Sequence, residues 1–161
     1  MTEGLVIRLP RAIAERLERE ARRQGISVEE YLVELLAGDL DPRERAREYI
    51  EAARSLLEEA REELERGNTR QAAEKAWGAA ALAVKAYAAS RDGRRLTSHG
   101  ELWEYKRRLE KELGEWVSDA WAQATAMHVC FYEAWCTRHD VEEALKRIEK
   151  LVEEAGKRIP A

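Results

Sequence analysis

Between residues 46 and 64 the apolar side chains Ala46, Ile50, Ala53, Leu57, Ala60 and Leu64 step by 4, 3, 4, 3 and 4. Only a helix brings such a series onto one face. The spacing returns in Val117, Trp121, Ala124, His128, Phe131 and Trp135. With 3 prolines and 9 glycines in 161 residues, little interrupts it. Asp41-Pro42 opens the first of these helices and Gly67 closes it. A second is predicted from Thr69 to Ser90. Its stripe is Ala73, Trp77, Ala80, Val84 and Tyr87, and its other side carries Ala76, Ala79, Ala83 and Ala86. A helix apolar nearly all round is central and buried. Ser98 and Glu101 start a third, through Leu102, Tyr105, Leu109 and Leu113 to a break near Gly114. A fourth is predicted over Glu115 to Cys136. The last opens near Thr137 to Asp140 and runs through Val141, Ile148, Leu151 and Ile159.

The first forty residues read differently. Leu5, Ile7 and Leu9 alternate, which predicts a strand over 5–9. Pro10 then suits the first turn of a helix carrying Ile13, Leu17 and Ala21, which Gly25 ends. Ser27 and Glu30 form a capping box for another helix, ending at Gly38. The expected fold is therefore all-α: a strand–helix–helix arm over 1–40 and a bundle of five helical segments over 41–161. A lone strand needs a partner for its backbone groups, so a homodimer is expected.

Composition narrows the classes of function. Hydrophobic residues make up 45% and charged residues 37%, which argues against a disordered chain and leaves no apolar run able to cross a membrane. Residues 1–9 hold no apolar leader core, so a cytoplasmic protein without membrane contact is expected. The net charge of −4 excludes a whole-protein electrostatic grip on nucleic acid. Arginine outnumbers lysine by 21 to 7 and Asn68 is the sole asparagine, a composition that fits a thermophile. On a single helix, Cys130 and Cys136 would have Cα atoms about 9 Å apart, beyond the ~7 Å reach of a disulfide. Both are expected to be reduced core thiols. His99, His128 and His139 lack zinc-ligand spacing, so neither metal nor cofactor is expected. No phosphate-binding glycine loop or serine nucleophile elbow occurs.

One local charge concentration stands out. Arg91, Arg94, Arg95, Lys106, Arg107 and Arg108 face only Asp92, Glu101 and Glu104 between residues 91 and 108, a balance of +3. His99 lies in the middle, at a helix start whose free N–H groups favour anions. Arg91, Arg94, Arg95 and Arg107 are the candidate anion or nucleic-acid contacts, and Trp103 is a candidate for base stacking. His128, with Tyr132 and Glu133 nearby, is a secondary candidate site.

Two resemblances add to this reading. Residues 5–38, with Leu9-Pro10 and Gly25-Ile26-Ser27 at the helix starts, resemble a ribbon-helix-helix unit. That resemblance implies paired strands from two chains, with Arg8 the residue able to read a base edge. Residues 1–40 nevertheless carry 6 basic and 8 acidic side chains, which favours dimerisation over a grip on phosphates. Residues 41–159 resemble the HEPN superfamily, and within it the archaeal PaREP family. The anchors are Gln71-Ala-Ala-Glu-Lys-Ala-Trp-Gly-Ala-Ala, Thr97-Ser98-His99, Ala126-Met-His-Val-Cys-Phe-Tyr-Glu-Ala-Trp135 and Val141-Glu-Glu-Ala-Leu. The resemblance implies a dimeric helical bundle that interacts with nucleic acid or a nucleotide. It also implies a setting of toxin–antitoxin type and a nucleotidyltransferase-like partner protein. Nuclease members carry an R-x4–6-H motif, matched here by Arg94 and His99, which implies phosphate contact and proton transfer at the ribose 2′-hydroxyl. The leading expectation is a binding module. The alternatives are a DNA-binding regulator acting through the ribbon and a metal-independent ribonuclease.

Overall fold

The computed structural model describes residues 4–161, and among them every regular element is a helix. Helices α1 (Arg11–Gln24) and α2 (Val28–Ala37) form an arm. The bundle consists of α3 (Pro42–Glu65), α4 (Thr69–Asp92), α5 (His99–Leu113), α6 (Trp116–Glu133) and α7 (Arg138–Lys157). Residues 4–9 run without regular structure, so the strand expected over 5–9 is absent. The alternation is there, but a strand exists only through ladder hydrogen bonds, and a single chain offers this segment no neighbour.

Local chemistry sets most helix ends. The Asp41 side chain accepts from the backbone N–H groups of Arg43 and Glu44, and Pro42 fills the first turn of α3. Thr137 and Asp140 make a complete reciprocal capping box on α7. Ser27 and Ser98 each accept the N–H three residues on, but the other half of each expected box is missing. The Glu30 side chain turns inward instead, and Glu101 meets the hydroxyls of Thr97 and Ser98. Gly114, at φ 128°, separates α5 from α6 in a conformation that side chains rarely adopt.

Helix α4 is the axle of the bundle. Every residue from Ala72 to Ala89 except Lys75 is buried, and α3, α5, α6 and α7 all pack against it. Its small side chains let neighbours approach: a Cβ on Gly78 would stand 3.0 Å from Leu56 and 3.3 Å from the Ser27 hydroxyl. Trp77, Trp121, Tyr87, Leu82 and Met127 fill the interior.

The cysteines correct the sequence reading. They form a disulfide, with Cα atoms 5.7 Å apart. The 9 Å expectation assumed one helix through Cys136, but α6 ends at Glu133 and Ala134 takes a φ of 55°, turning the chain back on itself. Trp135 leaves the apolar stripe with that turn and is 48% exposed.

The arm rests on the bundle through α2 and the α1–α2 turn. Ile26 and Ser27 are buried, whereas Ile13, Leu35 and Leu36 face outward. Arg45 secures the link between arm and bundle, donating to the carbonyls of Leu40 and Gly93.

Candidate functional site

The α1–α2 turn lies across the side of α4 that carries Trp77. His99 Nε2 donates to the Gly25 carbonyl at 2.6 Å. The approach is so close that a Cβ at position 25 would stand 2.7 Å from that nitrogen, and Gly25 itself sits at φ 70°. Glycine is required there on both counts. The His99 ring stacks on Trp77 at 5.3 Å, and the His128 ring lies 5.3 Å from Trp77 and 5.7 Å from His99. Two histidines that the sequence separates by 29 positions therefore share one aromatic floor. His128 Nδ1 donates to the Glu74 carboxylate at 3.2 Å, which leaves its Nε2 as the acceptor nitrogen when the ring is neutral. Tyr132 meets His128 edge-on at 5.3 Å. Glu133 is exposed at the end of α6 and has no part in this cluster.

A charged cluster is buried beside the histidines. Lys85 Nζ lies 3.0 Å from Glu34 and 3.6 Å from Glu30. Glu30 is fully buried, and neither of its carboxylate oxygens has a hydrogen-bond partner. Burial pushes the Glu30 carboxyl up to about 7, against the pull of Lys85. Burial opposes the Lys85 ammonium, but Glu30 and Glu34 outweigh it and hold its pKa above the usual lysine value. These residues join the arm to α4 by charge, beside the apolar contacts of Ile26 and Ala37. The sequence held a signal for them, since Glu74 and Lys85 interrupt a helix with no solvated face to receive them.

The basic segment is largely engaged with carboxylates. Arg91 pairs with Glu112 at 3.1 Å, and Arg94 pairs with Glu101 at 3.9 Å and lies over the Tyr105 ring. Arg95 reaches Glu34 at 3.4 Å and Asp39 at 3.8 Å. Arg108 bridges Asp92 and Glu112, and Lys106 is buried against Glu110 and the Trp103 ring. Arg107 is exposed, with no ion pair among the described residues. Arg8 is likewise exposed, on the extended segment before α1. Trp103 is partly committed to the edge of Trp121.

A cleft of about 530 Å³ opens between the arm and the start of α5. It gathers Arg23 from α1, Lys85 from α4, Arg95 from the α4–α5 loop, and Thr97, Ser98 and His99 around the α5 N-terminus. Arg94 is not among its walls. The pair that meets in the cleft is Arg95 and His99, not the Arg94 and His99 of the motif spacing. Among the described residues no three His, Cys, Asp or Glu side chains converge to hold a metal ion. No helix among them is long and apolar enough to cross a membrane.

Fold and site together define a helical bundle with a buried ionic cluster and a histidine pair, closed over by a two-helix arm. The chain belongs to the archaeal PaREP1/PaREP8 family, whose model matches residues 48–152. The match begins within α3, so the arm lies outside it. The chain is also similar to a protein from Sulfolobus solfataricus of known crystal structure, with 25% sequence identity and a TM-score of 0.60 over 68% of this chain and 97% of that one. No curated protein matches it.

Proposed function

We propose that this protein is a HEPN-like module that binds the phosphates of a nucleotide or of single-stranded nucleic acid in the cleft beside α5. The observation that carries this reading is the single cleft that Arg23, Lys85 and Arg95, from three separate elements, line together with Glu34, Asp39 and the N-terminal turn that bears His99. Free N–H groups at that turn and a guanidinium opposite them form an anion-binding arrangement. Arg95 is the main contact, with His99 beside it, and Arg94 is displaced toward Tyr105. Glu34 and Asp39 hold Arg95 in the absence of a ligand, so binding exchanges one set of anions for another.

The test is titration of a single-stranded RNA against wild type, Arg95→Ala and Arg94→Ala at two salt concentrations. Arg95→Ala is expected to lose at least tenfold in affinity and to show a shallower salt slope. Arg94→Ala is expected to lose less. Equal affinity and slope in all three proteins would remove this reading.

A second reading concerns the arm. Leu5, Val6 and Ile7 are 87%, 95% and 65% exposed. That is a costly display of apolar surface for a segment with unpaired backbone. It supports a homodimer in which residues 5–9 of two chains pair as a ribbon.

A further inference from the structure

A second cleft, of about 460 Å³, lies on the other side of the α1–α2 turn. Ile26 lines both clefts, but the first sets Arg23, Lys85 and Arg95 beside Glu34 and Asp39, whereas carboxylates predominate in the second. The second is walled by carboxylates from three helices, Glu18 of α1, Glu29 of α2 and Glu74 of α4, and by the rings of Phe131 and Tyr132 from α6.

Glu74 is the informative residue. It is 5% exposed, and one carboxylate oxygen accepts from His128. The other, Oε2, is buried without a partner. Burial raises the Glu74 carboxyl pKa, His128 opposes the shift, and the neighbouring charge of Glu29 adds to it. A buried acceptor left unmade, with a like charge facing it, is relieved by a cation that carries N–H donors. Among the described residues neither Glu18 nor Glu29 has an ion-pair partner to supply one. The aromatic wall suits the same ligand, because it gives a carbon chain an apolar surface to lie on. The guanidinium of Arg22 already stands 5.9 Å from the centre of the Tyr132 ring, and that of Arg70 stands 5.5 Å from Phe131. Arg22 lines the cleft but forms no ion pair with its carboxylates. A bare metal ion fits poorly, since among the described residues no three carboxylates converge to hold one. An anion is repelled by three negative groups.

We propose that this cleft is a binding site for a primary alkylammonium ion, whose ammonium donates to Glu74 Oε2 and Glu29 while its carbon chain lies along Phe131 and Tyr132. The site is separate from the phosphate cleft, and the two readings stand or fall independently.

The experiment is calorimetric titration of 1,4-diaminobutane into the full-length protein at low salt, with butan-1-ol as the uncharged control. The His128 ring resonances, read by NMR, report on the neighbouring carboxylate. Saturable binding of the diamine but not of the alcohol is expected, with His128 shifting as the site fills. Glu74→Gln and Glu29→Gln should each weaken binding at least tenfold, and Tyr132→Ala at least threefold. Glu29 and Tyr132 are not buried, so their variants decide the matter even if Glu74→Gln fails to fold. Arg95→Ala should bind the diamine as wild type does, whatever it does to RNA. Absence of saturable binding would overturn the proposal. So would equal binding by the Glu29 and Tyr132 variants, or equal binding of the alcohol.

Discussion

Glu30 is a carboxylic acid placed where a carboxylate is least welcome. Its oxygens are buried, its nearest cation is 3.6 Å away, and Glu34 beside it already holds Lys85 at 3.0 Å. The sign of the pH dependence follows. The folded-state pKa of about 7 lies above the ordinary value of 4.5. Below pH 4.5 the group is protonated in both states and costs nothing. As the pH rises toward 7 the unfolded chain ionises first, and the group's contribution to stability is lost. Glu30→Gln should therefore be more stable than wild type at pH 8, by on the order of 1 kcal/mol or more. The difference should shrink toward zero at pH 5. Chemical denaturation at the two pH values measures it, and a difference that does not change with pH would show that Glu30 ionises in the fold as readily as in the unfolded chain, paired well enough to offset its burial.

At the scale of elements, α4 decides the architecture. It contributes Trp77 to the centre of the bundle, where the ring is fully buried against Trp121 and both histidines. Trp77→Ala should cost roughly 3–5 kcal/mol, the range for large aromatic truncations in a core. It should also perturb the His99 and His128 ring resonances, because the floor beneath them is removed. Equilibrium unfolding in denaturant provides the first measurement, and a loss below about 1 kcal/mol would contradict the central placement of this helix. The arm behaves differently. It is held by the His99–Gly25 hydrogen bond, the Lys85 cluster and the Arg95–Glu34 pair. Of these, the Arg95–Glu34 pair has its guanidinium half-exposed and open to exchange with solvent or ligand, which suits a segment lying over two clefts.

At the scale of the whole molecule, the unpaired face of the arm is the feature left without a partner. Leu36 and Ile13 are exposed on the same arm as Leu5 to Ile7. Light scattering at micromolar concentration is expected to show a dimer, and Ile7→Asp should shift it toward monomer by setting a charge among apolar side chains. A wild-type chain that runs as a clean monomer would rule this out.

The helices were legible in the sequence because the helical repeat is a local property. Ala46 to Leu64 and Ala73 to Tyr87 declare their faces within a few turns, and an α4 apolar nearly all round has nowhere to lie except the centre. The histidine pair was half legible: His99 and His128 were both singled out, but their meeting was not. Glu74 and Lys85 carry no expectation from the sequence, although they are the two interior charges of α4, and Glu30 reads there only as a capping residue. Tertiary structure alone decided that Arg95 and not Arg94 enters the cleft with His99, that Glu30 turns inward rather than completing its box, and that the chain doubles back after Glu133 to join the cysteines. Each of these depends on groups brought together from distant parts of the chain. Periodicity reports the face on which a side chain lies, whereas its charge state and bonding depend on what packs against that face.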